Sequence, residues 1–388
     1  MEISFSPLRH REKIRVPKLI FIKFVISQNT KLRHFFTSVP QCLCGEYNNI
    51  MKHKTAILLL QLGTPDSPKK SDVRKYLTQF LNDPRVIDIP WLARTLLVNG
   101  IIVPFRSGNS SKLYKAIWDE KTGSPLLKHT LDLQKKLQVA VGDDIKVEMA
   151  MRYQSPSTES VLERMRMEGY HKIIVFPLYP QYASSSTGTA LQLFMEIVSK
   201  WWVIPEIKII SQYYDNPDYI NCIVNRAKKY DFSKYDHVIF SYHGLPERQV
   251  DKVYNDGYLC KDHHCETELS SENYYCYKAG CYQTTKDVVE KLNLPADKYT
   301  ISFQSRLDDK WLKPYSDKVV EELAKKGAKN VLVFSPAFTA DCLETLYEIG
   351  TEYQEIFHEH GGEKIQLVES LNSGDDWVET IKKIALSQ

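Results

Sequence analysis

The chain is predicted to fold as a doubly wound α/β protein in two Rossmann-like halves, and three observations carry that prediction. Continuous apolar runs recur along its length and read as parallel strands buried on both faces. Helix-length stretches separate them. A polar break, "KKYDFSKYD", ends at Asp236 and divides the chain into similar segments, 54–230 and 231–388. A cleft between two such halves is a natural ligand site.

The strands are taken in order. "TAILLLQLG" (55–63) runs into Gly-Thr-Pro and is the first. "IKVEMAMRY" (145–153), "KIIVFPLYP" (172–180), "EIKIISQYY" (206–214), "HVIFSYHG" (237–244), "YTISFQS" (299–305) and "NVLVFSPAF" (330–338) follow. Helices are expected over 157–168, 188–200, 217–229, 283–292 and 315–326, with a further helix at the C-terminus. Several strands finish in polar residues: Gln61, Arg152-Tyr153, His243, Gln304-Ser305-Arg306 and Ser335. Open α/β sheets handle ligands along that rim. No G-x-G-x-x-G or G-x-x-x-x-G-K-[ST] follows any strand, so a nucleotide site has little support.

Composition narrows the function. At 388 residues the chain is long enough for two cores. Its 51 basic residues nearly cancel 48 acidic ones, which argues against a nucleic-acid binder. The run "TLLVNGIIVPF" (95–105) falls well short of the roughly 20 apolar residues of a spanning helix. It reads either as an apolar lip beside a pocket or as core. Residues 1–53 are basic and acid-poor, and read as an organellar presequence or as an extension upstream of a start at Met51.

Two features point to chemistry. His243 stands where the strand "YDHVIF" opens into "HGLP". An imidazole there is either a structural hydrogen-bonding group or a base working near neutral pH. A Ser241–His243 hydrolase lacks the G-x-S-x-G elbow and is set aside. The second feature is a row of carboxylates, Asp341, Glu344, Glu348, Glu352 and Glu355, whose spacings place them on one face of a helix. Like charges at i,i+4 repel. A row beginning at a strand end therefore suits capture or conduction of a divalent cation such as Fe²⁺ better than a merely solvated face.

Cys260, Cys265, Cys276 and Cys281 form C-x₄-C-x₁₀-C-x₄-C within a loop spanning 256–282. A [2Fe–2S] cluster, a zinc ion or free thiols are the readings, and the x₄ spacing leans toward iron–sulfur. His263 and His264 lie inside the loop and could replace a ligand.

Taken together, "LLLQLGTPDSP", "YKAIWDEKTGSPLL", "MRYQSP", "FPLYPQYASSSTG", "FSYHGLPERQV", "YTISFQSRLDDKWLKP" and "VFSPAFTADCLETLYEIGTEY" make the chain resemble the ferrochelatase family. The resemblance implies two Rossmann-like halves with a porphyrin between them, and insertion of Fe²⁺ into protoporphyrin IX or coproporphyrin with release of two protons. It implies His243 and Glu344 as the catalytic and metal-binding pair. Asp341, Glu348 and Glu352 continue as an acidic path, with Arg152, Tyr153, Trp311 and Phe338 near the macrocycle. The serines Ser184, Ser185 and Ser186 read as propionate partners or as a helix start. The resemblance further implies a bacterial type whose four-cysteine segment holds [2Fe–2S], and a cytoplasmic location, with peripheral membrane contact left open. The rival readings are a cobalt or sirohydrochlorin chelatase and a non-catalytic haem or iron carrier. One departure is Cys342, where animal-type members carry a second histidine; it reads as a small buried hydrophobe.

Overall fold

The computed structural model describes residues 54–254 and 263–387; the expected N-terminal extension and Cys260 lie outside that range. The apolar runs form two four-stranded sheets. The first contains β1 (Thr55–Gly63), β2 (Ile145–Tyr153), β3 (Lys172–Pro177) and β4 (Glu206–Ile209), in the order β2-β1-β3-β4. The second contains β5 (His237–His243), β6 (Tyr299–Gln304), β7 (Asn330–Phe334) and β8 (Lys364–Leu367), in the order β6-β5-β7-β8. All pairings are parallel.

The two sheets share one topology, and its consequence is local. The two strands that follow β1 in sequence, β2 and β3, lie on its opposite sides, as β6 and β7 do about β5. The carboxyl ends of β1 and β5 are the topological switch points where this architecture opens a crevice. His243 is the last residue of β5.

Strand limits follow backbone chemistry. β3 stops at Pro177, which has no N–H for the ladder, and β7 stops before Ser335-Pro336. The strand β8 escaped the sequence reading because a four-residue edge strand, with only Ile365 buried, is too short to show a usable period.

Among the described residues, side-chain caps start two of the α-helices, α5 (Thr158–Glu168) and α7 (Pro217–Ala227). Ser157 accepts from the Ser160 N–H at 3.2 Å ahead of α5, and Gly169 closes it with φ +68. Residues 64–144 carry α1 (Lys70–Leu81), α2 (Trp91–Leu97), a π turn over Val98–Ile102, α3 (Val103–Ile117) and α4 (Pro125–Val141). The stretch 95–105 therefore serves both readings. Val98 and Val103 pack against Tyr76, Leu77 and Tyr153, while Trp91, Leu96 and Phe105 are 70%, 65% and 81% exposed. Later come α6 (Thr189–Val198), α7 (Pro217–Ala227), α8 (Glu247–Val250), α9 (Tyr277–Leu292), α10 (Ser316–Lys325), α11 (Gln354–Glu359) and α12 (Asp375–Leu386). No helix among the described residues is long and apolar enough to cross a membrane.

α12 belongs in space with the first sheet rather than the second. Its Trp377 is fully buried against Phe176 of β3, Tyr213 and Tyr219, with ring centroids 5.7–6.4 Å apart. Arg226 of α7 is paired with Asp376 at 2.8 Å. The halves also meet beside the cleft. Asp88, at the root of the lip, accepts from Arg248 and Lys252 at 2.5 Å and from Gln249 at 3.0 Å, all on or just after α8. Burial pushes the Asp88 carboxyl up, but these donors outweigh it and hold the group well below its ordinary 3.8.

Trp377→Ala is expected to cost about 3–5 kcal/mol, read as a lower denaturation midpoint. Trp377→Phe is expected to cost less, since the indole N–H has no partner to lose. For Asp88, a depressed carboxyl adds stability above its ordinary value that is lost as pH falls through the lowered one. Asp88→Asn should therefore cost roughly 1 kcal/mol at pH 7 with these solvent-exposed partners. Unfolding curves of wild type and variant should converge as pH is lowered below 3.8.

Candidate active site

β5 delivers His243 half-buried to the rim, and local backbone fixes its ring. Nδ1 lies 2.6 Å from the Gly244 carbonyl oxygen. A carbonyl can only accept, so Nδ1 carries the proton and Nε2 keeps its lone pair in the neutral ring. Tyr277 of α9 donates to the His243 carbonyl at 2.9 Å. Gly244 must be glycine, because a Cβ there would sit 2.7 Å from the Gln304 carbonyl oxygen and 3.3 Å from Trp311 Cε3. That close approach sets the Trp311 indole beside the histidine turn, where Pro246 bridges to Trp311. The Phe338 ring is 6.3 Å from the His243 ring.

The acidic segment is a π-helix over Glu344–Tyr353 that continues into α11. Wide π turns of this kind recur at functional sites. Gln304 ties the helix to the histidine. It is the cross-strand partner of His243, and its Nε2 donates to the Glu344 carbonyl oxygen at 3.0 Å and to Glu348 Oε2 at 3.1 Å.

The carboxylates expected to form one row divide their duties. Asp341 precedes the helix and is buried, accepting from Asn372 Nδ2 at 2.7 Å and from Thr345 Oγ1 at 3.2 Å. It anchors the loop and stands apart from the helical row. Glu348 accepts from Ser305 N–H and Oγ–H at 2.8 and 2.6 Å and from the Tyr353 phenol at 3.0 Å. It holds Ser305 in the left-handed region, φ +62, where a serine is uncommon. Glu344 has no ion pair with a basic residue among the described residues. Burial and then the Glu344 charge push the Cys342 thiol well up, so Cys342 is a protonated, buried neighbour of that carboxylate. Glu352 is raised by burial, then by Glu348 and Glu355. Such strain among like charges is relieved by a proton or a cation.

In the first sheet, Arg152 and Tyr153 end β2. Arg152 pairs with Asp83 at 2.6 Å and its guanidinium lies 4.6 Å from the Tyr153 ring centre. Tyr153 itself is buried, packed edge-on against Tyr76 and Phe80. Its hydroxyl donates to Asp83 at 2.9 Å, so it meets the site through that carboxylate. Asp83 escaped the sequence reading; the only signal was an Asn-Asp-Pro turn closing α1. Ser184 accepts from Arg85 Nη1 at 2.8 Å. With Ser185 and Ser186 it forms a π turn, Ser184–Gly188, that starts α6. A cavity of about 710 Å³ beside this turn, bordered by Arg85, Asp88, Tyr182, Gln249 and Lys252, does not include His243 or Glu344.

In the cysteine segment, Cys265 and Cys276 are buried with their sulfurs 3.6 Å apart, and the Tyr254 hydroxyl lies 3.0 Å from Cys265 Sγ. Cys276 caps α9, and Cys281 lies inside that helix with its thiol pushed well up by burial. His263 stacks on Tyr254, ring centres 3.7 Å apart, and His264 is exposed with φ +54. Among the described residues no group of three or more His, Cys, Asp or Glu side chains is gathered to hold a metal ion.

Comparison with known proteins bears on this geometry as a whole. The ferrochelatase family model matches residues 54–388. A ferrochelatase of Legionella pneumophila (strain Lens) is 42% identical over 336 residues, covering 86% of this chain and 99% of its own. One of Coxiella burnetii (strain CbuK_Q154) is 41% identical over 336 residues, covering 86% and 93%. Among solved structures, SirB from Bacillus subtilis with Fe³⁺ is 13% identical with a TM-score of 0.49, covering 86% and 96%, too remote to carry an argument. The family model spans both sheets, and relatives 41–42% identical cover 86% of the chain, so the chain belongs to the ferrochelatase family.

Proposed function

We infer that this chain inserts Fe²⁺ into a porphyrin, releasing two protons and giving haem. The family match across both halves carries the reading, and the geometry of the rim supports it. The reaction removes two inner N–H protons before four nitrogens can take a dication. Held by the Gly244 carbonyl, His243 presents Nε2 as the acceptor on one macrocycle face. Glu344, without a cationic partner among the described residues, is the carboxylate for the metal or for carrying protons outward. Glu352 extends that route. Trp311 and Phe338 wall the slot. A pocket shaped for a bent macrocycle would favour the transition state, since planar porphyrin hides its lone pairs.

The substrate is proposed to be protoporphyrin IX or a close carboxylated relative, and the chain to be a lyase. The exposed apolar lip supports such a substrate over a more polar tetrapyrrole, and supports peripheral contact with a membrane surface. A cytoplasmic location is proposed with it.

We further propose that the cysteine segment holds a [2Fe–2S] cluster. The Cys265–Cys276 sulfur pair supports this, being spaced as two ligands of one iron. Cys281 and Cys260 would serve the second iron. Cys281 is buried in α9, and Cys260 lies outside the described residues. A cluster would supply one-electron redox chemistry, which metal insertion does not require.

Anaerobic metallation of protoporphyrin and of coproporphyrin, followed optically with Fe²⁺ and Zn²⁺, should show turnover. His243→Ala and Glu344→Ala should each lower it on the order of 10²–10⁴-fold with folding retained. Near-wild-type rates in both would refute the assignment. For the cluster, anaerobically purified protein should absorb in the visible and contain iron and sulfide in equal amounts. Cys276→Ser should abolish both, and a colourless, iron-free, fully active preparation would remove the cluster.

A further inference from the structure

The carboxylate of Asp83 is one of the most heavily used polar groups near the cleft, yet it belongs to no strand end or acidic row. It is buried at 5% exposure. Its Oδ2 accepts from Arg152 Nη2 at 2.6 Å, from the Tyr153 hydroxyl at 2.9 Å and from Thr189 Oγ–H at 2.5 Å. Oδ1 accepts from the Arg85 N–H at 2.8 Å. Thr189 closes the ring by accepting from Arg152 Nε at 2.7 Å.

This arrangement fixes a direction. A guanidinium is planar with five donors, and its Nε–Nη2 edge is turned toward Thr189 and Asp83. That leaves the Nη1 end of Arg152, whose side chain is 20% exposed, to meet a ligand. Burial and then Asp83 push the Tyr153 phenol far up, so Tyr153 stays protonated and acts as a donor in the ring.

The same residue starts the lip. The Asp83 carbonyl accepts from Val86 and Ile87 N–H at 3.1 and 3.0 Å, and Arg85 runs on to Ser184 and Gln192 at 2.8 and 2.5 Å. One carboxylate therefore joins the end of α1, the end of β2, the start of α6 and the root of the apolar lip.

We propose that Asp83 is a positioning residue for porphyrin metallation, aiming the Arg152 guanidinium into the cleft and holding the lip root in the same register. The proposal rests on the reading that Arg152 contacts the macrocycle. Asp83 does not touch substrate; it acts through Arg152. Replacing the carboxylate by an amide keeps the volume but sets an NH₂ group or a weaker acceptor against Arg152 and Tyr153, so the guanidinium loses its fixed edge.

The test is a double-mutant cycle in steady-state Zn²⁺ insertion into protoporphyrin, with thermal midpoints recorded for every variant. Asp83→Asn should lower kcat/KM for porphyrin on the order of 10–10²-fold, the scale of a misplaced binding group. In an Arg152→Ala background it should add almost nothing, because the group it aims is gone. Thr189→Val, which keeps the Asp83 carboxylate but removes the hydroxyl joining it to Arg152 Nε, should reproduce part of the loss, and Thr189→Ser should restore it. Losses that multiply in the double variant, or wild-type rates in both Asp83→Asn and Thr189→Val, would overturn the positioning role. If Asp83→Asn does not fold, the Thr189 pair decides alone. Wild-type rates in Arg152→Ala would instead remove Arg152 from the site, and this proposal with it.

Discussion

The pairing of β5 with β6 is the constraint on which the site depends. Their register sets His243 beside Gln304, and Gln304 then reaches the Glu344 carbonyl and the Glu348 carboxylate. A strand alternates its side chains from face to face, so a shift of one residue would send Gln304 away from the acidic helix and turn His243 from the rim. Gly244 locks the register from the other side, since only a residue without a Cβ tolerates the Gln304 carbonyl and the Trp311 indole so close. One hydrogen-bonded strand pair thereby places a base, a carboxylate helix and an aromatic wall together.

Around that pair, carboxylates are differentiated by the donors they meet rather than by type. Asp341, Glu348 and Asp83 each accept several hydrogen bonds from neighbouring segments and are committed to geometry. Glu344 and Glu352 lack such a set of donors among the described residues, and Glu352 carries the repulsion of its neighbours. Groups of the first kind organise the cleft; groups of the second are left with affinity for protons or a cation. At Arg152, Nε and Nη2 are bound to Thr189 and Asp83.

The two halves are tied at opposite ends of the molecule's chain order. Near the cleft, Asp88 links the lip to α8, which follows His243 directly. Far along the sequence, α12 crosses back so that Trp377 fills the aromatic core against β3. The contacts between the halves thus include aromatic burial at Trp377 and charged hydrogen bonds at Asp88.

Much of this was written in local pattern. The apolar runs marked every strand but β8: most are buried on both faces and need continuous apolar residues, whereas β4, also marked, is a short edge strand left partly exposed. The places of His243 at a strand end and of Glu344 on a helix were legible because both are local features. Tertiary structure decided the rest, because it turns on contacts between residues distant in sequence. Asp83 meets Arg152 and Thr189, Gln304 meets Glu348, and Tyr153 is drawn into the lip core away from the open rim. Sequence spacing showed that a carboxylate was present; only packing determined whether it would brace a loop or face the cleft, since that depends on which donors the fold brings within hydrogen-bonding distance.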